Sequence, residues 1–143
     1  MAQTFLTYSE QETIDLAHRL AAGLTCGAVI LLHGDLGSGK TAFVRGVARG
    51  LGIDPDQVTS PTFVIIQEYR GSAALFHVDL YRLEGAAAID DLGIQELSGE
   101  GIVAIEWADR LPRPIAGAMQ VTLEDAGGDV RRITVDRTGI SDE

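Results

Sequence analysis

Residues 28–32, Ala-Val-Ile-Leu-Leu, form an unbroken apolar run, the pattern of a strand buried on both faces. Further on, Phe43, Val44, Val47, Ala48 and Leu51 recur at the spacing of one helical face. That helix opens near Gly39, and Gly52 stands where a C-terminal cap is expected. Arg45 and Arg49 lie one turn apart, off the apolar stripe. Upstream, Leu16, Ala17, Leu20, Ala21 and Leu24 mark a first helix, with Gly23 or Gly27 to end it. Ser9-x-x-Glu12 predicts its start as a capping box, each side chain satisfying the other residue's free backbone N–H. Residues 3–8 read as a short strand and 53–62 as a loop. Residues 63–69 and 74–81 read as two strands joined at Arg70-Gly71-Ser72. Residues 85–97 are helical or irregular, and 102–107 form another buried strand. Residues 121–124 and 130–135 alternate about Gly127-Gly128, a closing hairpin. The sum is an α/β chain: a mixed parallel and antiparallel sheet with flanking helices. A length of 143 residues fits one domain over 1–143, with a frayed tail after Arg137.

Between the first buried strand and the second helix lies Gly34-Asp35-Leu36-Gly37-Ser38-Gly39-Lys40-Thr41, an ungapped G-x-x-x-x-G-K-[ST]. The glycines let the backbone curl so that successive N–H groups point into one anion-sized hollow. The helix that starts there adds its positive end. Asp35, Leu36, Gly37, Ser38 and Gly39 would line the phosphates. Lys40 would reach the β- and γ-phosphates, and the Thr41 hydroxyl would bind Mg²⁺. The bland alternative, a glycine-rich surface turn, does not account for the strand before it or the amphipathic helix after it.

A metal held this way needs a carboxylate, and two apolar runs end in one. Residues 102–105 lead to Glu106, and residues 75–78 lead to Asp79. Leu75, His77 and Asp79 share one face of their strand. Both acids would converge at the carboxyl ends of the sheet, where open α/β sheets bind ligands. His33 and His77 read as structural. Trp107 would stack on a base or cover the core, and the sequence favours neither. Thr59-Ser60-Pro61-Thr62 follows the second helix. It is either a loop that senses the γ-phosphate or an ordinary hydroxyl-rich turn.

Composition narrows the partners. The net charge is −10, and residues 83–143 carry 13 acidic and five basic side chains. Nucleic acid is gripped mainly through Lys and Arg, so strong direct binding is not expected. The lone Cys26, the absence of a signal pattern at the N-terminus and the lack of a long apolar stretch lead to the expectation of a cytoplasmic protein without a membrane span. Lys40 is the only lysine, beside ten arginines. None is therefore left for the Asn-Lys-x-Asp motif by which GTPases read guanine. No lid insertion of the kind small-molecule kinases close over phosphates is evident, though Arg70 and Arg82 are candidates for that role.

The ordered blocks GDLGSGKT, TSPTF, FHVDLYRL and IEWADRL, spanning Gly34 to Leu111, resemble the TsaE (YjeE) family. These are ATPases of the bacterial machinery that makes threonylcarbamoyladenosine in tRNA. The resemblance implies a protein that binds ATP or ADP with Mg²⁺ and hydrolyses ATP weakly. It implies docking on the partner proteins TsaB and TsaD, with the tRNA held by those partners. Matched by motif, Lys40 would bind phosphate, and Thr41 and Glu106 would serve the metal. Asp79 would be the second nucleotide-site carboxylate, and Thr62 part of a switch-like loop. Glu10, at the start of the first helix, would lie near the nucleotide. Arg131 or Arg132 would approach the phosphates, the choice staying open. Two other readings compete: a small-molecule P-loop kinase and a non-catalytic nucleotide-sensing module.

Overall fold

Strand β2 (Val29–His33) runs through the middle of the molecule with its first four residues buried. Ile30 and Leu32 face one layer, where Leu16 and Ala17 of helix α1 (Glu10–Ala21) and Phe43, Val44 and Val47 of helix α2 (Lys40–Gly50) close over them. Val29 and Leu31 face the other, packing with Phe76, Val78, Val103 and Ile105. Two short helices, α3 (Ala86–Asp90) and α4 (Ile94–Ser98), cover that side through Ile89, Ile94 and Leu97. Burying both faces is why β2 is apolar at every position before His33; each fully buried aliphatic side chain contributes about 1.5–3 kcal/mol. The computed structural model describes residues 2–35, 37–59, 66–81, 83, 85–112 and 115–136.

The remaining strands are β1 (Ala2–Thr7), β3 (Ile66–Arg70), β4 (Ala74–Asp79), β5 (Gly101–Glu106), β6 (Met119–Asp125) and β7 (Arg131–Asp136). They form one seven-stranded sheet in the order β1-β7-β6-β2-β5-β4-β3. The centre is parallel: β2 pairs with β5 and β6, and β4 with β5. Both flanks are antiparallel, β3 on β4 and β7 between β6 and β1. This is the mixed sheet with flanking helices that the pattern predicts. Among the described residues, no helix is long and apolar enough to cross a membrane.

Two local expectations are corrected. Ser9 does cap α1, its Oγ accepting from Glu12 N–H at 3.1 Å. The return bond runs from Tyr8 N–H to Glu12 Oε1 at 2.9 Å, not from Ser9; with Ser9 extended, it is the Tyr8 N–H that faces the carboxylate. Strand β5 ends at Glu106, one residue short of expectation. Trp107 leaves it in a left-handed conformation, φ 60°, the single positive φ outside glycine among the described residues.

Helices α1 and α2 cross at Gly46. A Cβ added there would collide with the Ile14 carbonyl and lie 2.5 Å from Ala17 Cβ. Both obstacles sit on a buried, close-packed helix face, so the helices would have to separate. Gly46→Ala should therefore destabilise the fold by about 3 kcal/mol, the upper part of the overpacking range. Urea unfolding would read it; a midpoint equal to wild type would mean the crossing is looser than its geometry.

Candidate functional site

The parallel register brings three strand ends together. Glu106 lies opposite Leu32 of β2 on one side and Asp79 of β4 on the other. The chain leaving β2 passes directly into the loop of residues 34–39 and then into α2. The glycine-rich loop and both candidate carboxylates thus meet at the carboxyl edge of the sheet, where the backbone ends of parallel strands leave a crevice.

Backbone sterics shape the loop. Gly34 has φ +150°, and a Cβ there would lie 2.5 Å from Ser38 Oγ and 2.6 Å from the Leu123 carbonyl. Gly39 caps α2 at φ 105°, a region that glycine enters at no steric cost. Ser38 Oγ is buried with no hydrogen-bond partner, an unsatisfied group at the loop's inner wall. Lys40 is buried and turned back on its own loop. Its Nζ donates to the Gly34 carbonyl and, at 3.1 Å, to the Asp35 carbonyl. It also lies 4.6 Å from the centre of the Trp107 ring. Tyr81 packs on Trp107 at 4.8 Å, and the Arg110 guanidinium lies over Tyr81 at 5.6 Å. Trp107 is half-buried against the apolar layer, the covering role open to it in sequence, and it also presents its ring to the loop lysine.

Glu106 is buried, and its Oε2 lies 2.6 Å from Nε2 of His77. His77 is itself fully buried and hydrogen-bonded, in keeping with a structural reading, and what the sequence leaves unseen is that its partner is Glu106. The place of His77 two residues before Asp79 on the same strand face was the available signal. Asp79 Oδ1 accepts from Tyr81 N–H at 2.8 Å. Burial holds the Asp79 carboxyl above its ordinary value. The Tyr81 N–H opposes that, the Glu106 charge adds to it, and His77 and Lys40 offset it.

A group raised in the folded state loses stability for the protein as pH climbs. The unfolded chain ionises first, near 3.8, so the deficit opens there and is complete above the raised folded value. Asp79→Asn, which keeps the carbonyl that receives Tyr81 N–H, should therefore raise the melting temperature at pH 7. The gain should vanish below about pH 3.8. Melting curves across that window would show it; a gain independent of pH would assign the effect to something other than ionisation.

Of the two arginines left open, Arg131 meets the loop. Its Nη2 donates to the Gly37 carbonyl at 3.1 Å, while Nη1 holds the Gly128 carbonyl at 2.8 Å. Arg132 stands 3.9 Å from Glu124 on the hairpin surface. Glu10 is joined to α2 through Arg45 at 3.1 Å, and Arg45 also binds the Val58 carbonyl at 2.9 Å. Thr41 follows Lys40 in the first turn of α2. Arg70 pairs with Glu68 on β3. Leu36, Thr62, Arg82 and the tail from Arg137 lie outside the described residues.

Residues 7–133 match the family model of the threonylcarbamoyl adenosine biosynthesis protein TsaE. The chain belongs to the TsaE family. It is 42% identical over 139 residues to the tRNA threonylcarbamoyladenosine biosynthesis protein TsaE of Bacillus subtilis (strain 168), covering 93% of this chain and 84% of that one. It is 42% identical over 149 residues to the TsaE protein of Nostoc sp. (strain PCC 7120), covering 99% of this chain and 91% of the relative. The crystal structure of Bacillus subtilis YdiB superposes with a TM-score of 0.75 at 35% identity, covering 97% of this chain and 87% of that one. The TsaE assignment therefore takes in both the glycine-rich loop and the two strand-end carboxylates.

Proposed function

We propose that this TsaE-family protein binds ATP or ADP with Mg²⁺, hydrolyses ATP weakly, and serves threonylcarbamoyladenosine modification of tRNA by acting on the partner proteins TsaB and TsaD. The observation that carries the nucleotide reading is the register: Leu32, Glu106 and Asp79 aligned beneath the loop that ends in Lys40 and Thr41. The loop glycines and the α2 N-terminus supply the phosphate hollow. Lys40 moves from the Gly34 and Asp35 carbonyls to the β- and γ-phosphates. Arg131 braces the outer side of the loop through Gly37.

The residues fit a divalent cation. Thr41 and the buried Glu106 are hard oxygen donors at the same edge of the sheet, and Ser38 Oγ in the loop is buried and unsatisfied. Among the described residues no cluster of three His, Cys, Asp or Glu side chains is arranged to hold a metal; Mg²⁺ characteristically takes one or two protein oxygens and completes its shell with phosphates and water. Bound there, Mg²⁺ supplies charge neutralisation on the phosphates. Asp79, whose carboxyl is held above its ordinary value by burial, is the second carboxylate on the nucleotide. The net charge of −10 supports a role in which the partners, not this chain, hold the tRNA.

The test is ATP binding and turnover, alone and with the TsaB–TsaD pair, together with sustained tRNA modification. Weak hydrolysis that changes with the partners is expected. Equal modification with and without this protein would sink the reading. Transfer of the γ-phosphoryl group to a metabolite would replace it with a kinase, and tight binding without any turnover with a nucleotide sensor.

A further inference from the structure

Among the described residues, His77 is a buried polar residue at the site whose chemistry the nucleotide reading leaves unused. It sits on β4 opposite Ala104 of β5, one pleat below the Asp79–Glu106 pair. Ala104 is fully buried and small, which leaves room between the strands for an imidazole ring. The side chains of His77 and Glu106 are 0% and 4% exposed, with Nε2 and Oε2 at 2.6 Å. The other ring nitrogen, Nδ1, is buried without a partner. A leucine or phenylalanine would fill the same space with no unsatisfied atom, so packing alone does not explain a histidine here. What only the histidine adds is the bond to Glu106. An orphaned buried N–H is rarer and more costly than an orphaned acceptor, so the orphan Nδ1 is best satisfied as a bare lone pair. That puts the proton on Nε2, where it donates to the carboxylate.

We propose that His77 is a positioning residue: its Nε2–H engages Oε2 of Glu106 and holds that carboxylate so that Oε1 is presented to the cation of the bound nucleotide. The inference rests on the nucleotide-site reading above. Without the donor, the buried Glu106 carboxylate loses the hydrogen bond that fixes its orientation. Partners that orient a metal-linked carboxylate or imidazole typically govern metal affinity by about 10- to 100-fold. The nucleotide's own contacts, made by the loop and Lys40, do not pass through His77.

The experiment titrates Mg²⁺ into the ADP-bound protein and, separately, measures ADP affinity in EDTA. Fluorescence of Trp107, the only tryptophan, is the readout, with calorimetry as its check. His77→Phe keeps the shape and removes the donor; His77→Gln restores an N–H at similar reach. The Phe variant should need about 10- to 100-fold more Mg²⁺ for half-saturation with ADP affinity in EDTA unchanged, and the Gln variant should recover most of the loss. Equal Mg²⁺ half-saturation for Phe and wild type overturns the proposal. So does a Gln variant no better than Phe, or a parallel loss of ADP affinity in EDTA, which marks a structural role. Should the Phe variant not fold, His77→Asn replaces it, since its amide is too short to reach Glu106; wild-type Mg²⁺ behaviour in that variant overturns the proposal equally. A wild type whose ADP binding ignores Mg²⁺ is a different failure, that of the nucleotide–metal reading itself, and this inference falls with it.

Discussion

Replacing Lys40 with alanine should weaken ATP and ADP binding about 10- to 100-fold, the scale of one charge-assisted hydrogen bond, and abolish turnover. Lys40 is the only lysine of the chain, and it is buried with its ammonium turned back on the glycine-rich loop. In the structure its donors are occupied by the Gly34 and Asp35 carbonyls. Lys40→Arg should not rescue, since a planar fork on a longer stem does not fit where a compact ammonium is buried. Calorimetry with ADP reads the affinity. Amine-specific labelling reads occupancy, because Lys40 and the α-amino group are the only amines. Wild-type binding by the alanine variant would remove the loop from the nucleotide site.

Glu106→Gln should cut hydrolysis by about 100-fold or more, the scale for removing one preorganised electrostatic group from a reacting centre, while ADP affinity in EDTA is kept. Glutamine preserves the volume and leaves an oxygen for His77, so the strand end stays packed; alanine would leave the buried histidine without any partner and confound the result with instability. Charge, not shape, is what the substitution removes. The same change has a second reading. The Glu106 charge is one of the causes that hold Asp79 above its ordinary value, so the Asp79 carboxyl should titrate lower in the variant. Carbon-detected NMR of the Asp79 carboxyl would follow it. Turnover equal to wild type would mean that Glu106 is a buried structural acid and not part of the chemistry.

Legibility in the sequence followed the range of the interactions. The loop was readable because its determinants are contiguous: a strand buried on both faces, glycines in conformations closed to other residues, and a helix begun at once. Strand-end acids were readable because an apolar run that stops at a carboxylate is itself a local pattern. The capping of α1 was readable at Ser9 and misread at its return bond, which depends on how the chain enters the helix. Trp107 reads as part of β5 because its side chain suits a strand; its left-handed backbone has no signature in composition.

What the sequence determined by itself was the α/β pattern, the glycine-rich loop between strand and helix, the pair of candidate carboxylates and the family to which the blocks point, all of which rest on neighbours in the chain. What only the tertiary structure decided was which distant groups meet. His77 pairs with Glu106 because β4 and β5 run parallel in one register. Arg131, and not Arg132, reaches the loop because β7 folds back antiparallel on β6 and sends alternate side chains to opposite faces. Trp107 reaches Lys40 because the β5 exit turns toward the neighbouring strand's loop. Strand register carries no local signal, since any of several alignments satisfies the same apolar runs; only the packed sheet selects one.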